Sequence, residues 1–162
     1  MDKQRLLFSV LSLLLLASCS DTIFSGVGGD ANLEITTDQI EYTPKDTVKV
    51  TFVNDTPEDL FLLSSGCSAF DGPLPNMVIE KQRGHVWENA TDYGCTAVYQ
   101  PPINIEAGTS YSVKFRVGVT NAPQEEGTYR YLFDLRLINE NGDPGEKLPA
   151  RYRYSNEFKV LK

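Results

Sequence analysis

From Leu33 onward the apolar residues fall on every second position. In TVKVTFV, Thr47 to Val53, the residues Val48, Val50 and Phe52 share one face, and Lys49 and Thr51 take the other. SYSVKFRVGV, Ser110 to Val119, sets Tyr111, Val113, Phe115, Val117 and Val119 against Ser112, Lys114 and Arg116. TYRYLFDLRLI, Thr128 to Ile138, points Tyr129, Tyr131, Phe133, Leu135 and Leu137 inward and Arg130, Asp134 and Arg136 outward. Shorter runs continue the pattern: LEIT from Leu33, DLFLLSS from Asp59, and NEFKVL from Asn156. MVIEKQ, Met77 to Gln82, meets VWEN, Val86 to Asn89, across Arg83-Gly84-His85, which reads as a hairpin turn. Period two is the geometry of a strand with one buried face.

Turn-forming clusters separate these runs, among them Thr43-Pro44-Lys45-Asp46, Asn54-Asp55-Thr56-Pro57, Glu106-Ala107-Gly108 and Asn141-Gly142-Asp143. No segment after Ser20 carries an apolar stripe at helical spacing. The pattern predicts an all-β fold, an antiparallel two-sheet sandwich of seven to eight strands. Glu126-Gly127-Thr128-Tyr129 enters the penultimate long strand where a tyrosine corner would stand. A plain core tyrosine at Tyr129 is the alternative.

The start of the chain is different. MDKQR carries Lys3 and Arg5, and LLFSVLSLLLLA follows almost wholly apolar. That run is short of the roughly 20 residues a membrane span needs, and a positive head with a short apolar run describes a secretory signal peptide. Leu16-Ala17-Ser18-Cys19 resembles the bacterial lipobox. That resemblance implies cleavage before Cys19 and a diacylglyceryl group on its sulfur; acyl chains then anchor the chain, since two or more hold stably. An ordinary signal peptide or a buried N-terminal helix is the rival reading. The expected organisation is a lipoprotein signal peptide over 1–18, a lipidated tether over 19–32 and one sandwich domain over 33–162. The tether SDTIFSGVGGDAN is rich in Gly, Ser and Asp; it reaches about 45 Å extended and nearer 20 Å as a coil. Ser20 after the cysteine resembles the outer-membrane default, with Asp21 one place later, so the expected location is the bacterial cell envelope at the outer membrane.

The formal charge of −7 repels phosphate backbones and argues against nucleic acid as a partner. With Cys19 assigned to lipid, Cys67 and Cys95 remain as a pair in an exported chain, where oxidising conditions favour a disulfide. It would close a loop of about 28 residues, worth roughly 3–4 kcal/mol on the chain-entropy picture. A metal pair or a reactive thiol is the alternative, but no CxxC is present and no histidine lies near either cysteine in sequence.

Candidate chemistry is sparse. The single histidine, His85, falls in the predicted hairpin turn, where a solvated side chain is expected rather than a general base. No GxSxG elbow is present, and the acid pairs Glu125-Glu126 and Glu58-Asp59 flank turns. Asn139-Glu140-Asn141-Gly142-Asp143 lacks the first aspartate and closing glutamate of a calcium loop and reads as a polar hairpin. No catalytic residue, metal ligand or cofactor is assigned. Arg151-Tyr152-Arg153-Tyr154 could hold a carboxylate or sugar, and reads more simply as a charged edge strand. Trp87, the sole tryptophan, reads as a core anchor of the hairpin, with a sugar platform as the alternative.

The order PKDTVKVTFVND, DLFLLSSG, MVIEKQRGHVWE, INIEAGTSYSVKFRV, EEGTYRYLFDL and SNEFKV resembles immunoglobulin-like domains of bacterial exported lipoproteins. It is also similar to the intracellular proteinase inhibitor (BsuPI-like) family of bacilli, over about Leu33 to Leu161. Two departures stand against the second likeness: that family is cytoplasmic, and the Cys67 and Cys95 pair is not its hallmark. No inhibitory loop can be matched, so no reactive residue is carried over. The resemblance implies an immunoglobulin-like sandwich without enzymatic activity, used for protein binding or envelope scaffolding. A proteinase inhibitor and a carbohydrate-binding module are the alternatives. The partners expected are the membrane, through the lipid, and an envelope protein, a protease among the possibilities. Gly66 to Asn76 and Asn89 to Pro102 look long and irregular, and the disulfide would gather them. Phe70, Tyr93 and Tyr99 are the candidate partner-binding anchors there, since aromatics dominate interface hot spots.

Overall fold

A computed structural model of the chain describes residues 32–69, 72–92, 99–117 and 123–162. Their strands make an immunoglobulin-like antiparallel sandwich with a smaller sheet on its flank. The first main sheet has the order β1-β3-β10, formed by β1 (Leu33–Thr37), β3 (Thr47–Asn54) and β10 (Thr109–Arg116). The second has the order β2-β14-β11-β7-β8: β2 (Glu41–Tyr42), β14 (Phe158–Val160), β11 (Gly127–Phe133), β7 (Met77–Arg83) and β8 (Val86–Asn89). These match strands A-B-E and A′-G-F-C-C′ of an immunoglobulin domain. The opening segment splits between the sheets, and β2 runs parallel to β14, while the other pairings are antiparallel.

The period-two pattern accounts for the core. In β3 Val48, Val50 and Phe52 are buried, and so is Asn54 at the strand's end. The Asn54 amide donates to the carbonyls of Glu58 and Ile105, so its burial is matched by bonds that tie the following loop and the strand ending at Ile105 to this one. Tyr129, Tyr131 and Phe133 line the inner face of β11. Phe52 meets Phe133 with ring centroids 4.8 Å apart, and Phe115 meets Tyr131 at 5.4 Å, so aromatic contacts join the two sheets. Tyr129 does form the corner: its hydroxyl donates to the Glu125 carbonyl at 2.8 Å. The Tyr131 hydroxyl, in contrast, is buried without a partner.

Several details depart from the sequence pattern. Thr128 to Ile138 is two strands, not one. The chain breaks at Asp134, whose N–H donates to Asn76 and whose carbonyl accepts from Leu63. Beyond it β12 (Leu135–Ile138) joins a flanking sheet of order β13-β12-β4-β9, with β4 (Leu60–Leu62), β9 (Ile103–Ile105) and β13 (Pro144–Lys147). Asp59 to Ser65 likewise divides into β4 and β5 (Ser64–Ala69). The latter pairs with β6 (Gly72–Pro75), so much of Gly66 to Asn76 is a hairpin rather than irregular chain. Arg151 to Tyr154 is not an edge strand: after Pro149 it forms a 3-10 turn over Ala150–Tyr152, and Tyr154 makes a single bridge to Leu132. Trp87 is not a core anchor, because its register opposite Gln82 turns it to the outer face.

Candidate functional site

Three surfaces carry the side chains that could recognise something. The first is a groove of about 570 Å3 at the flanking sheet, between the ends of the two segments singled out above and the β12–β13 loop. Its lining includes Phe61, Leu63, Tyr99, Gln100, Pro102 and Pro144. One wall is fixed by Ser64 and Ser65, whose hydroxyls both donate to the Leu74 carbonyl at 3.3 and 3.1 Å, locking β5 to β6. Gly66 follows with φ of 79°, a left-handed turn that side chains disfavour. The opposite wall is set by Asn139, whose side-chain oxygen accepts from the N–H groups of Asn141 and Asp143 at 2.9 Å each. The Asn139–Asp143 segment is therefore a hairpin loop, as its composition suggests.

Tyr99 stands on the rim of this groove and is 91% exposed. A large ring left in water on the edge of a partly apolar groove costs solvation that a contact would recover. Phe70 and Tyr93, the other two candidate anchors, lie outside the described residues, as do Cys19 and Cys95. Cys67 sits in β5 and is buried in the core.

The second surface is the outer face of the five-stranded sheet. Arg130 on β11 stands opposite Glu80 on β7, and its Nε and Nη2 both donate to Glu80 Oε2 at 2.7 Å. Its guanidinium is clasped between two rings, 4.2 Å from Trp87 and 3.9 Å from Tyr154. The hairpin supplies Trp87, and the segment after the 3-10 turn supplies Tyr154, so one cation ties three stretches of chain together. Alternation marked Arg130 as outward, but nothing in the spacing marks Trp87 and Tyr154 as its neighbours.

The third is a pocket of about 260 Å3 beside the tyrosine corner. Lys81, on the inward side of β7, passes over the Tyr129 ring and reaches Glu125 at 2.8 Å. The bond to Glu125 raises the lysine's pKa against the opposing effect of burial, and lowers that of Glu125. Arg83 pairs with Glu88 at 2.9 Å across the same pocket. Asp92 on its rim accepts from Gln124 at 3.4 Å, and the Lys81–Glu125 pair ties the pocket to the corner. His85 is exposed in the turn between β7 and β8.

No family model matches the chain, and no curated protein matches it. Among solved structures it is similar to an alkylpurine DNA glycosylase of Pseudomonas fluorescens bound to DNA containing an abasic site analog, at 10% identity and a TM-score of 0.36. That likeness covers 87% of this chain and 33% of the glycosylase, so the chain spans about a third of that protein's length. It is also similar to the CARDB domain of a Pyrococcus furiosus protein in complex with di-metal ions, at 12% identity and a TM-score of 0.34, over 81% of this chain and 89% of that one. A human ASH / PapD-like domain matches at 12% identity and a TM-score of 0.26, over 78% and 82%. The strand order itself, with the corner at Tyr129, establishes the fold.

Proposed function

We propose that this chain is a lipoprotein of the bacterial envelope, anchored through Cys19, whose non-enzymatic immunoglobulin-like domain binds a protein partner at the groove beside Tyr99. The observation that carries the binding site is Tyr99 itself, 91% exposed on the rim of a groove of about 570 Å3. Tyrosine is enriched at hot spots because it brings large contact area at small entropic cost. The groove lies where rigid strands hold loop ends, which lowers the ordering cost of binding. Anchoring is supported by the lipobox-like Leu16-Ala17-Ser18-Cys19. A Cys67–Cys95 disulfide belongs to the same reading. It is supported by the burial of Cys67 in β5 and by Cys95 as the one other cysteine of the chain once Cys19 is assigned to lipid.

The test is a photocrosslinking residue at position 99 in intact envelopes, followed by Tyr99→Ala in the purified pair. Binding weakened about tenfold or more, with an unchanged melting temperature, supports the groove. Binding that survives Tyr99→Ala, Phe70→Ala and Tyr93→Ala but is abolished by Arg136→Ala or Arg153→Ala moves the site to the charged faces. Capture of a protease would favour the inhibitor class. Cys19→Ser should release the protein from the membrane fraction and block maturation.

A further inference from the structure

Cations are distributed unevenly over this acidic molecule. On the five-stranded and flanking sheets they are paired: Lys81 with Glu125, Arg83 with Glu88, Arg130 with Glu80, and both Arg136 and Lys147 with Asp134. The outer face of β1-β3-β10 is different. Lys49 on β3 stands directly opposite Lys114 on β10, and Arg116 stands opposite Thr47 one step along on the same face. Lys45 lies in the adjoining turn, bonded through its N–H to the Val117 carbonyl. All four side chains are exposed, and among the described residues Lys45, Lys49 and Arg116 make no ion pair. Two acids in the adjoining loops, Asp38 and Asp46, are bonded to local donors. Asp38 accepts from the Tyr42 hydroxyl and the Lys49 N–H, and Asp46 from the N–H and hydroxyl of Thr43.

Like charges placed directly opposite each other on a sheet are unfavourable. We infer that the outer face of β1-β3-β10 is an electrostatic docking face for the anionic headgroups of the membrane to which the chain is tethered. Four features favour a bilayer over a soluble acidic partner. The face is a sheet surface rather than a cleft. Hydroxyl groups of Thr36, Thr51 and Ser112 share one row beside the cations, with Thr51 and Ser112 bonded at 3.0 Å. The described chain enters the domain through β1 of this same sheet. From that entry the basic end is about 17 Å away along the strands, within the tether's reach of about 45 Å. Basic residues near such a surface contribute about 1 kcal/mol each, roughly a fivefold factor. A few of them orient a domain that lipid already holds, while the remaining surface charge stays turned to water.

The inference rests on the lipid-anchor reading, and one experiment separates the two. The mature protein is mixed with vesicles of phosphatidylglycerol or of phosphatidylcholine, floated, and treated with an amine-acetylating reagent, and each lysine is followed by mass spectrometry. Failure to float with either vesicle overturns the anchor and the inference together. Flotation with both, and acetylation of Lys45, Lys49 and Lys114 about fivefold slower on phosphatidylglycerol alone, is the expected result. The slowing should vanish in high salt, and Lys162, 90% exposed at the far end of the chain, should react alike on both. In the double variant Lys49→Glu, Arg116→Glu, flotation should persist and the slowing at Lys45 and Lys114 should disappear. Equal acetylation on the two lipids overturns the inference while leaving the anchor intact. Slowing by soluble polyglutamate as strong as by phosphatidylglycerol also overturns it, and makes the face a site for acidic protein.

Discussion

The two main sheets present opposite kinds of outer face. On β2-β14-β11-β7-β8 the one outward arginine of β11 is bonded to Glu80 and enclosed by two rings. On β1-β3-β10 two lysines face each other across a strand pair. Both faces show the same alternation in sequence, apolar inside and charged outside. What differs is whether a partner lies within the described residues, as it does for Arg130 but not for Lys49 or Arg116. Where it does, the charge is part of the fold, and removing it should cost stability. Where it does not, the charge is available to something else, and removing it should cost function. The Tyr99 groove belongs with the second kind, since its most exposed ring packs against nothing that the fold needs.

The paired side should break hardest at the corner. A Cβ on Gly127 would stand 2.6 Å from Lys81 Cε and would push that side chain off its present path to Glu125. Gly127→Ala should therefore destabilise by about 1–3 kcal/mol, the range for forced repacking, as read from urea unfolding followed by circular dichroism. If Lys81→Ala relieves none of that loss, the crowding account is wrong. Next, Trp87→Ala should cost about 1–2 kcal/mol through the lost ring contact with Arg130, and Trp87→Phe less. The smallest effect should be seen with pH. Burial works to raise the Asp134 pKa, but the bonds from Arg136 and Lys147 outweigh it and leave the group lowered. A carboxylate lowered in the folded state contributes fully above its unfolded pKa, near 3.9, and loses that contribution as pH falls through its folded value. Urea midpoints should thus fall below about pH 4, with a shallower fall in Asp134→Asn. An identical fall in the variant would remove Asp134 from the account.

How much of this was legible in the sequence follows from the range of the interactions involved. The inner faces of β3, β10 and β11 could be read directly, because a strand's alternation is local and the core takes one side of it. The corner was readable as far as Glu126-Gly127-Thr128-Tyr129, since the hydroxyl returns to a carbonyl four residues back. The break at Asp134 was not, because Asn76 and Leu63, which take its backbone bonds, are distant in sequence. Trp87 and the Arg151–Tyr154 stretch depart from their local pattern for the same reason: Arg130 gathers Trp87 and Tyr154 from two other stretches. The short strands β2, β9 and β13 are too brief to show a period. Of the partner-binding anchors, Tyr99 came from composition and is found exposed at a groove, though the β12–β13 wall opposite it is a tertiary fact.

The division between the two faces is tested most directly by neutralising one cation on each and measuring both proteins side by side in urea at low ionic strength. Arg130→Gln should lose about 2 kcal/mol, because it leaves Glu80 half-buried without its partner and empties the space between two rings. Lys49→Gln should change stability by less than about 0.5 kcal/mol, or raise it, because it removes a repulsion with Lys114. Equal losses in the two variants, or a greater loss at Lys49, would contradict the account.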